Sequence, residues 1–166
     1  IPSDSSRLWS LELKPFMAMA EADIDVVMVA HVHAPDYQPE ADEPATLSSF
    51  WVTDILKNRL GFSGAIITDA MGMGGITKNY SDEYAIVKTV QAGCHIIIQN
   101  YDIKGSIDAI EKAVLANDIP EEHINSSALK MLQLKQKVGL HLNPYTSLDY
   151  MMENISTKEN KETATR

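Results

Sequence analysis

The side chain best placed to do chemistry in this chain is the carboxylate of Asp69. It ends the apolar run Ala65-Ile66-Ile67-Thr68 inside the stretch GFSGAIITDAMGMGGIT, residues 61–77, and a glycine- and methionine-rich turn follows it. A buried strand is rigid and the loop beyond it is open, so an acid at the junction meets a ligand in fixed geometry. The same residue type also starts turns and caps helices, and that reading stands beside the catalytic one. His31 and His33 lie at the end of a second apolar run, residues 26–32. They are expected on opposite sides of that strand, with His31 bordering a ligand site; a hydrogen-bonded structural ring is the alternative for each. Met71 and Met73 are in reach of the same site, although methionines beside an apolar strand commonly fill gaps in a core. Asp36, Glu40, Asp42 and Glu43 cluster in sequence, but their spacing lacks the tight oxygen-ligand pattern of a calcium loop. They are expected to be a solvated loop, and no metal or other cofactor is expected.

The elements that must hold these groups follow from the apolar pattern. Residues 8–22 have a helical pattern broken at Pro15, so a turn near Leu13-Lys14 and a fresh helical start are expected, with Phe16, Met19 and Ala20 on one face. The continuous apolar run 26–32 predicts a strand covered on both faces. A long proline-bearing loop, residues 34–47, leads to Ser48 as the expected N-cap of a helix carrying Val52, Ile55, Leu56 and Leu60. Gly61 stops that helix in the left-handed conformation, and Phe62 packs back on its last turn. After the Asp69 strand, Ser81-Asp82-Glu83 opens a helix that Gly93 closes, and residues 94–98 form a third strand. A turn at 102–105, a helix through Ile107 and Leu115, a short segment from Pro120, and a last helix capped by Asn125 and stopped at Gly139 complete the pattern. Strand and helix alternate with short turns, which specifies right-handed βαβ units about a parallel sheet. Three strands do not close a barrel of eight. The expected organisation is residues 1–145 as one domain and 146–166 as a polar tail or linker.

Composition narrows the function classes. The 166 residues are 45% hydrophobic and 22% charged, an ordinary globular balance. The formal net charge of -9 and the lack of a Lys/Arg cluster argue against a nucleic-acid partner. The single cysteine, Cys94, rules out an internal disulfide and is expected to be a small buried hydrophobe. No apolar stretch approaches the roughly 20 residues of a membrane-spanning helix. The chain begins with Ile1 rather than Met, so Ile1 is not expected to be the natural start of translation.

The runs ELKPF (12–16), AHVHAP (30–35), PATLS (44–48), LGFSGAIITDAMGMGGI (60–76), AGCHIII (92–98) and LKQKVGL (134–140) together resemble glycoside hydrolase family 3. Within it they resemble the bacterial β-N-acetylhexosaminidase branch, because Thr68-Asp69-Ala70-Met71 stands where the related β-glucosidases carry Ser-Asp-Trp. The resemblance implies part of a (β/α)8 TIM-type barrel, about three strands with flanking helices. It also implies retaining hydrolysis of terminal N-acetylglucosamine, with Asp69 as the nucleophile. His31 and Met71 are the candidate substrate contacts. The family's acid/base histidine, in an Asp-Ser-His run, and its sugar-binding Lys-His-Phe-Pro-Gly run are not in these residues. An alternative alignment sets Asp4-Ser5-Ser6 against Asp-Ser-His and leaves Ser6 in place of the acid/base. Two smaller departures are His95, where an acid is common, and His123, where an arginine is common. The chain alone is therefore expected to be inactive or nearly so. Its expected partners are a carbohydrate and either the remaining half of the barrel or a second copy. The rival expectation is a non-catalytic α/β module that binds a carbohydrate or a protein and self-associates through open sheet edges.

Overall fold

The computed structural model describes residues 5–38, 43–98, 102–155 and 157–165. Asp4, Glu40 and Asp42, named above, lie outside the described residues. The first helical stretch begins with Ser5–Arg7 and a π-helical turn over Leu8–Glu12. Helix α1 (Lys14–Glu21) restarts with Pro15 in its first turn, where the missing N–H costs nothing. Strand β1 (Val26–Val29) follows, then a 3-10 turn at Ala45–Leu47. Helix α2 (Phe50–Arg59), wound with the wider π-type bonding, leads to strand β2 (Ala65–Ala70). A single helical turn, Gly74–Thr77, precedes helix α3 (Asp82–Ala92) and strand β3 (Ile96–Ile98). Helices α4 (Ile103–Leu115), α5 (Glu121–Lys137), α6 (Leu148–Asn154) and α7 (Lys158–Ala164) complete the chain.

The three strands form one sheet in the order β1-β2-β3, and its parallel pairing is what the alternation of elements predicts. Val26 to Val29 pair in regular register with Ala65 to Thr68. On the other side the register slips: Ile67 pairs with Ile96 but Ala70 with Ile98. Thus β2 carries one residue more than β3 across Thr68-Asp69. Such a bulge bends a strand and re-aims the side chain at the extra position.

One face of the sheet is sealed. Val27, Ile66, Val52, Leu56, Phe62, Ala92 and Cys94 form a buried cluster against which Ala20 and Leu60 pack. The helix stops that make this possible are Gly61 and Gly93, at φ of 69° and 109°, where a left-handed conformation is needed. A second cluster joins Leu47, Met71, Ile76, Ala85 and Ile86, and a third joins Val90, Ala113 and Ile119. The other face of β1 is not covered. Val26 and Met28 are 41% and 55% exposed, while Val27 between them is 8% exposed. The expectation of two-sided burial is therefore corrected: helices reach only one side of β1, and burial along it alternates.

Four further expectations are adjusted. Ser49, not Ser48, is the N-cap of α2, because the buried Ser48 hydroxyl donates to Gln38 Oε1 at 2.7 Å. Residues 103–105 are the first turn of α4, capped by Asp102, which accepts from the Gly105 N–H at 2.8 Å. Asn125 lies inside α5, which starts directly after Pro120 and runs unbroken to Lys137. The third strand is shorter than 94–98, since Cys94 and His95 precede it.

The described residues group into two compact units, one ending at Met131 and one beginning at Leu132. The second contains the end of α5, α6 and α7, and α6 and α7 contain no buried residue.

Candidate functional site

Asp69 is the penultimate residue of β2, at the C-terminal end of the sheet and at the bulge. Its Oδ1 accepts from the Ala70 N–H at 2.7 Å, which fixes the carboxylate's orientation at the strand end. Its second oxygen has no protein partner among the described residues, so one oxygen is held and one is available. A carboxylate with a free oxygen is able to act as a nucleophile.

The Ala70-Met71 peptide beyond it is held from both sides. Met71 N–H donates to Ile98 O at 2.9 Å, and the Ala70 carbonyl accepts from His31 Nε2 at 3.0 Å. A carbonyl only accepts, so His31 carries a proton on Nε2. Its Nδ1 lies 2.9 Å from Thr46 Oγ1, and that hydroxyl lies 3.3 Å from Val29 O. Across the bulge, buried Thr68 Oγ1 accepts from the Ile98 N–H at 3.0 Å and completes the β2–β3 ladder.

A cavity of about 440 Å³ opens here, lined by His31, His33, Pro44, Gly75, Asn79 and Tyr80. His31 and His33 thus border the same space rather than opposite sides, because side chains two residues apart in extended chain share a face. Asp69 is adjacent through Ala70 but is not a lining residue. Met71 does not reach the cavity. It is 3% exposed in the second core cluster, and its sulfur accepts from Thr89 Oγ1 at 3.9 Å. Met73, in contrast, is 47% exposed. Among the described residues no group of three or more His, Cys, Asp or Glu could hold a metal, and no helix is long and apolar enough to cross a membrane. A separate apolar hollow of about 320 Å³ lies between Leu8, Phe16, Val32, Tyr37 and Trp51.

Thr46, Thr68 and Gly75 are structural partners of this site that sequence reasoning left without roles. The signal for Thr46 lay in the PATLS run, and for Gly75 in the double glycine after the methionines. A Cβ on Gly75 would sit 3.2 Å from His31 Cβ, so the glycine lets the loop close against the ring.

The family profile for the glycosyl hydrolase family 3 N-terminal domain matches residues 1–134. A β-hexosaminidase from Idiomarina loihiensis is 32% identical over 146 residues, covering 82% of this chain and 43% of that protein. One from Mannheimia succiniciproducens is 26% identical over 151 residues, covering 90% of this chain and 42% of its own length. The solved structure of a family 3 β-N-acetylglucosaminidase from Paenibacillus sp. str. FPU-7 superposes with a TM-score of 0.86 at 34% identity, covering 98% of this chain and 31% of that one. The chain therefore spans less than half the length of these relatives. Its three parallel βα units correspond to part of a family 3 TIM-type barrel. With its sheet, its strand-end acid and these matches in agreement, the chain belongs to glycosyl hydrolase family 3.

Proposed function

We propose that this chain is the nucleophile-bearing part of a retaining β-N-acetylhexosaminidase that removes terminal N-acetylglucosamine. Asp69 attacks the anomeric carbon, the glycosidic C–O bond breaks, and the resulting glycosyl ester is released by water. The observation that carries the proposal is the half-held carboxylate of Asp69 at the C-terminal end of a parallel strand. The β-hexosaminidase names of the relatives support a hexosamine, and the β-N-acetylglucosaminidase name of the similar Paenibacillus structure supports N-acetylglucosamine. The proton for the leaving oxygen and the rest of the sugar contacts come from the remaining barrel units, so the chain alone has little or no turnover. His33, Asn79 and Tyr80 border the cavity that His31 shares and are the side chains through which this part would contact a sugar.

The test separates the nucleophile from the missing proton donor. With an ordinary nitrophenyl N-acetyl-β-glucosaminide, the chain and its Asp69→Asn variant should both stay at background. A dinitrophenyl glycoside, whose leaving group needs no proton, should add one N-acetylhexosaminyl mass to the peptide carrying Asp69. An adduct elsewhere, an equal adduct in Asp69→Asn, or no adduct overturns the assignment. Nitrophenyl turnover that vanishes in Asp69→Asn overturns the inactivity.

The exposed face of β1 favours a second reading, in which the chain is a non-catalytic module that self-associates or binds a carbohydrate or a protein. Val26 and Met28 lie bare on it, and β1 and β3 are both edge strands. A dimeric mass in solution, combined with no Asp69 adduct, would favour it.

A further inference from the structure

The ladder between β1 and β2 stops at the Val29–Thr68 pair, yet the next carbonyl on that side of β2, Ala70 O, is still bonded. The donor is not backbone. It is the ring of His31, two residues past the end of β1. We propose that His31 is a positioning residue for Asp69, and that the Thr46–His31–Ala70 chain of hydrogen bonds fixes the bulge that aims the carboxylate. The inference rests on Asp69 being the nucleophile, and it gives His31 a role other than touching the sugar.

The chain of contacts is continuous. Buried Thr46, in the turn Ala45–Leu47, meets His31 Nδ1 at 2.9 Å. His31 Nε2–H donates to Ala70 O at 3.0 Å, and the Ala70 N–H donates to Asp69 Oδ1 at 2.7 Å. Ala70 is thus gripped through its carbonyl by the ring and through its N–H by the acid it presents. The far side of the Ala70-Met71 peptide is tied to Ile98 O on β3. A bulge leaves a residue out of the ladder, and left to itself that residue samples several orientations. Two anchors, one just past the end of β1 and one on the last residue of β3, remove that freedom before substrate arrives. Preorganisation of this kind lets a carboxylate attack along one trajectory without reorganising in the transition state.

The geometry tolerates either charge state of the ring. With a neutral ring, the Thr46 hydroxyl proton goes to Nδ1. With a charged ring, Nδ1–H donates to Thr46 Oγ1, and that hydroxyl donates to Val29 O, 3.3 Å away. The bond to Ala70 survives both arrangements, as a positioning device must if the reaction alters the local charge.

The experiment is residue-resolved NMR on the sugar-free chain, so it succeeds or fails independently of any adduct on Asp69. In His31→Phe, which keeps the ring's bulk and loses both bonds, amide exchange at Ala70 and Met71 should quicken about tenfold, as local opening without global unfolding does. The Asp69 side chain should pass from one rotamer to an average. Exchange at Ile66, at the far end of β2, should change less than about twofold. His31→Gln, whose amide supplies a donor toward Ala70 O, should restore most of the protection. Thr46→Val, which removes the hydroxyl but little volume, should quicken exchange at Ala70 by about threefold and serves if His31→Phe does not fold. Unchanged exchange at Ala70 and Met71 with a fixed Asp69 rotamer overturns the proposal. Equal acceleration at Ile66 does so as well, because the ring would then be a general structural prop.

Discussion

At the N-terminal end of β2 the Ile66 N–H donates to His95 Nδ1 at 2.9 Å, and at the C-terminal end the Ala70 carbonyl accepts from His31 Nε2 at 3.0 Å. An imidazole finishes the ladder at each end, but with opposite polarity. His95 must keep Nδ1 bare, whereas His31 must keep Nε2 protonated. The surroundings follow the same division. His95 is half-buried beside a sealed neighbour: Cys94 is 2% exposed, and burial pushes its thiol up to about 12. Lys57 and Lys130 from α2 and α5, together with His123, add positive charge. Lys130 reaches back to donate to Ser63 O. Around His31 there is a cavity and a half-held carboxylate. On the function proposed above, the N-terminal end of this sheet carries stability and the C-terminal end would carry the chemistry, a division known for parallel strand ends in barrels.

The largest loss is expected on the buried side of the sheet. Ile66 is fully buried in the first core cluster, so Ile66→Ala should cost about 2–5 kcal/mol in urea unfolding. A loss below 1 kcal/mol would mean that this end is not where stability sits. Gly64→Ala ranks next. Its Cβ would lie 2.6 Å from Asp25 O and 2.8 Å from Ile24 O, and these backbone atoms must move. The cost should be about 1–3 kcal/mol. Gly75→Ala, beside the C-terminal end of β2, would meet His31 Cβ at 3.2 Å and the His31 carbonyl oxygen at an ordinary 3.7 Å, and should cost less. Reversal of that order breaks the comparison.

The His95 contact makes stability depend on pH with a definite sign. Burial, then Lys57, Lys130 and His123, lowers this ring from its ordinary value to about 4. His123 shifts the same way, through burial and Lys57. The unfolded chain therefore binds more protons than the native one between about pH 6.5 and 4, and stability rises with pH there. The contribution is complete above the unfolded value and is lost as pH falls through that window. Allowing for partial exposure and screening, we expect about 1–2 kcal/mol between pH 7.5 and 5, read from urea midpoints. His95→Asn, whose side-chain oxygen still accepts from the Ile66 N–H, should flatten the profile. An equally steep profile in that variant would assign the pH dependence elsewhere.

These contrasts also mark what was legible in the sequence. The apolar runs marked the three strands, and their alternation with helices specified a parallel sheet, although the two-sided burial read from those runs did not hold for β1. Gly61 and Gly93 were legible as helix stops because the left-handed conformation admits few other residues. Asp69 was legible as a strand-end acid by its place after Ala65 to Thr68. The parts that were not legible are those set by tertiary partners. Nothing local to Met71 says that Leu47 and Ile86 enclose it. Nothing local to Ser48 says that Gln38 takes its hydroxyl. The bulge at Thr68-Asp69 depends on the position of β3, about thirty residues on, and neither histidine's bonding polarity is written in the residues beside it.

The smallest expected effect bears on the bare face of the sheet. Met28 is 55% exposed between Val27 and Val29, so little apolar contact is lost when it is shortened. Met28→Ala should therefore change stability by no more than about 0.5 kcal/mol, at any protein concentration. Its pairing partner is Ile67, which lies just before the bulge at Thr68-Asp69. A cost above 1.5 kcal/mol that grows as the protein is concentrated would mean that a second copy covers the face in solution. Stability would then extend onto the side assigned to chemistry, and the two ends of the sheet could no longer be separated. A small, concentration-independent change keeps them distinct and leaves the face free for the barrel units that would complete the site.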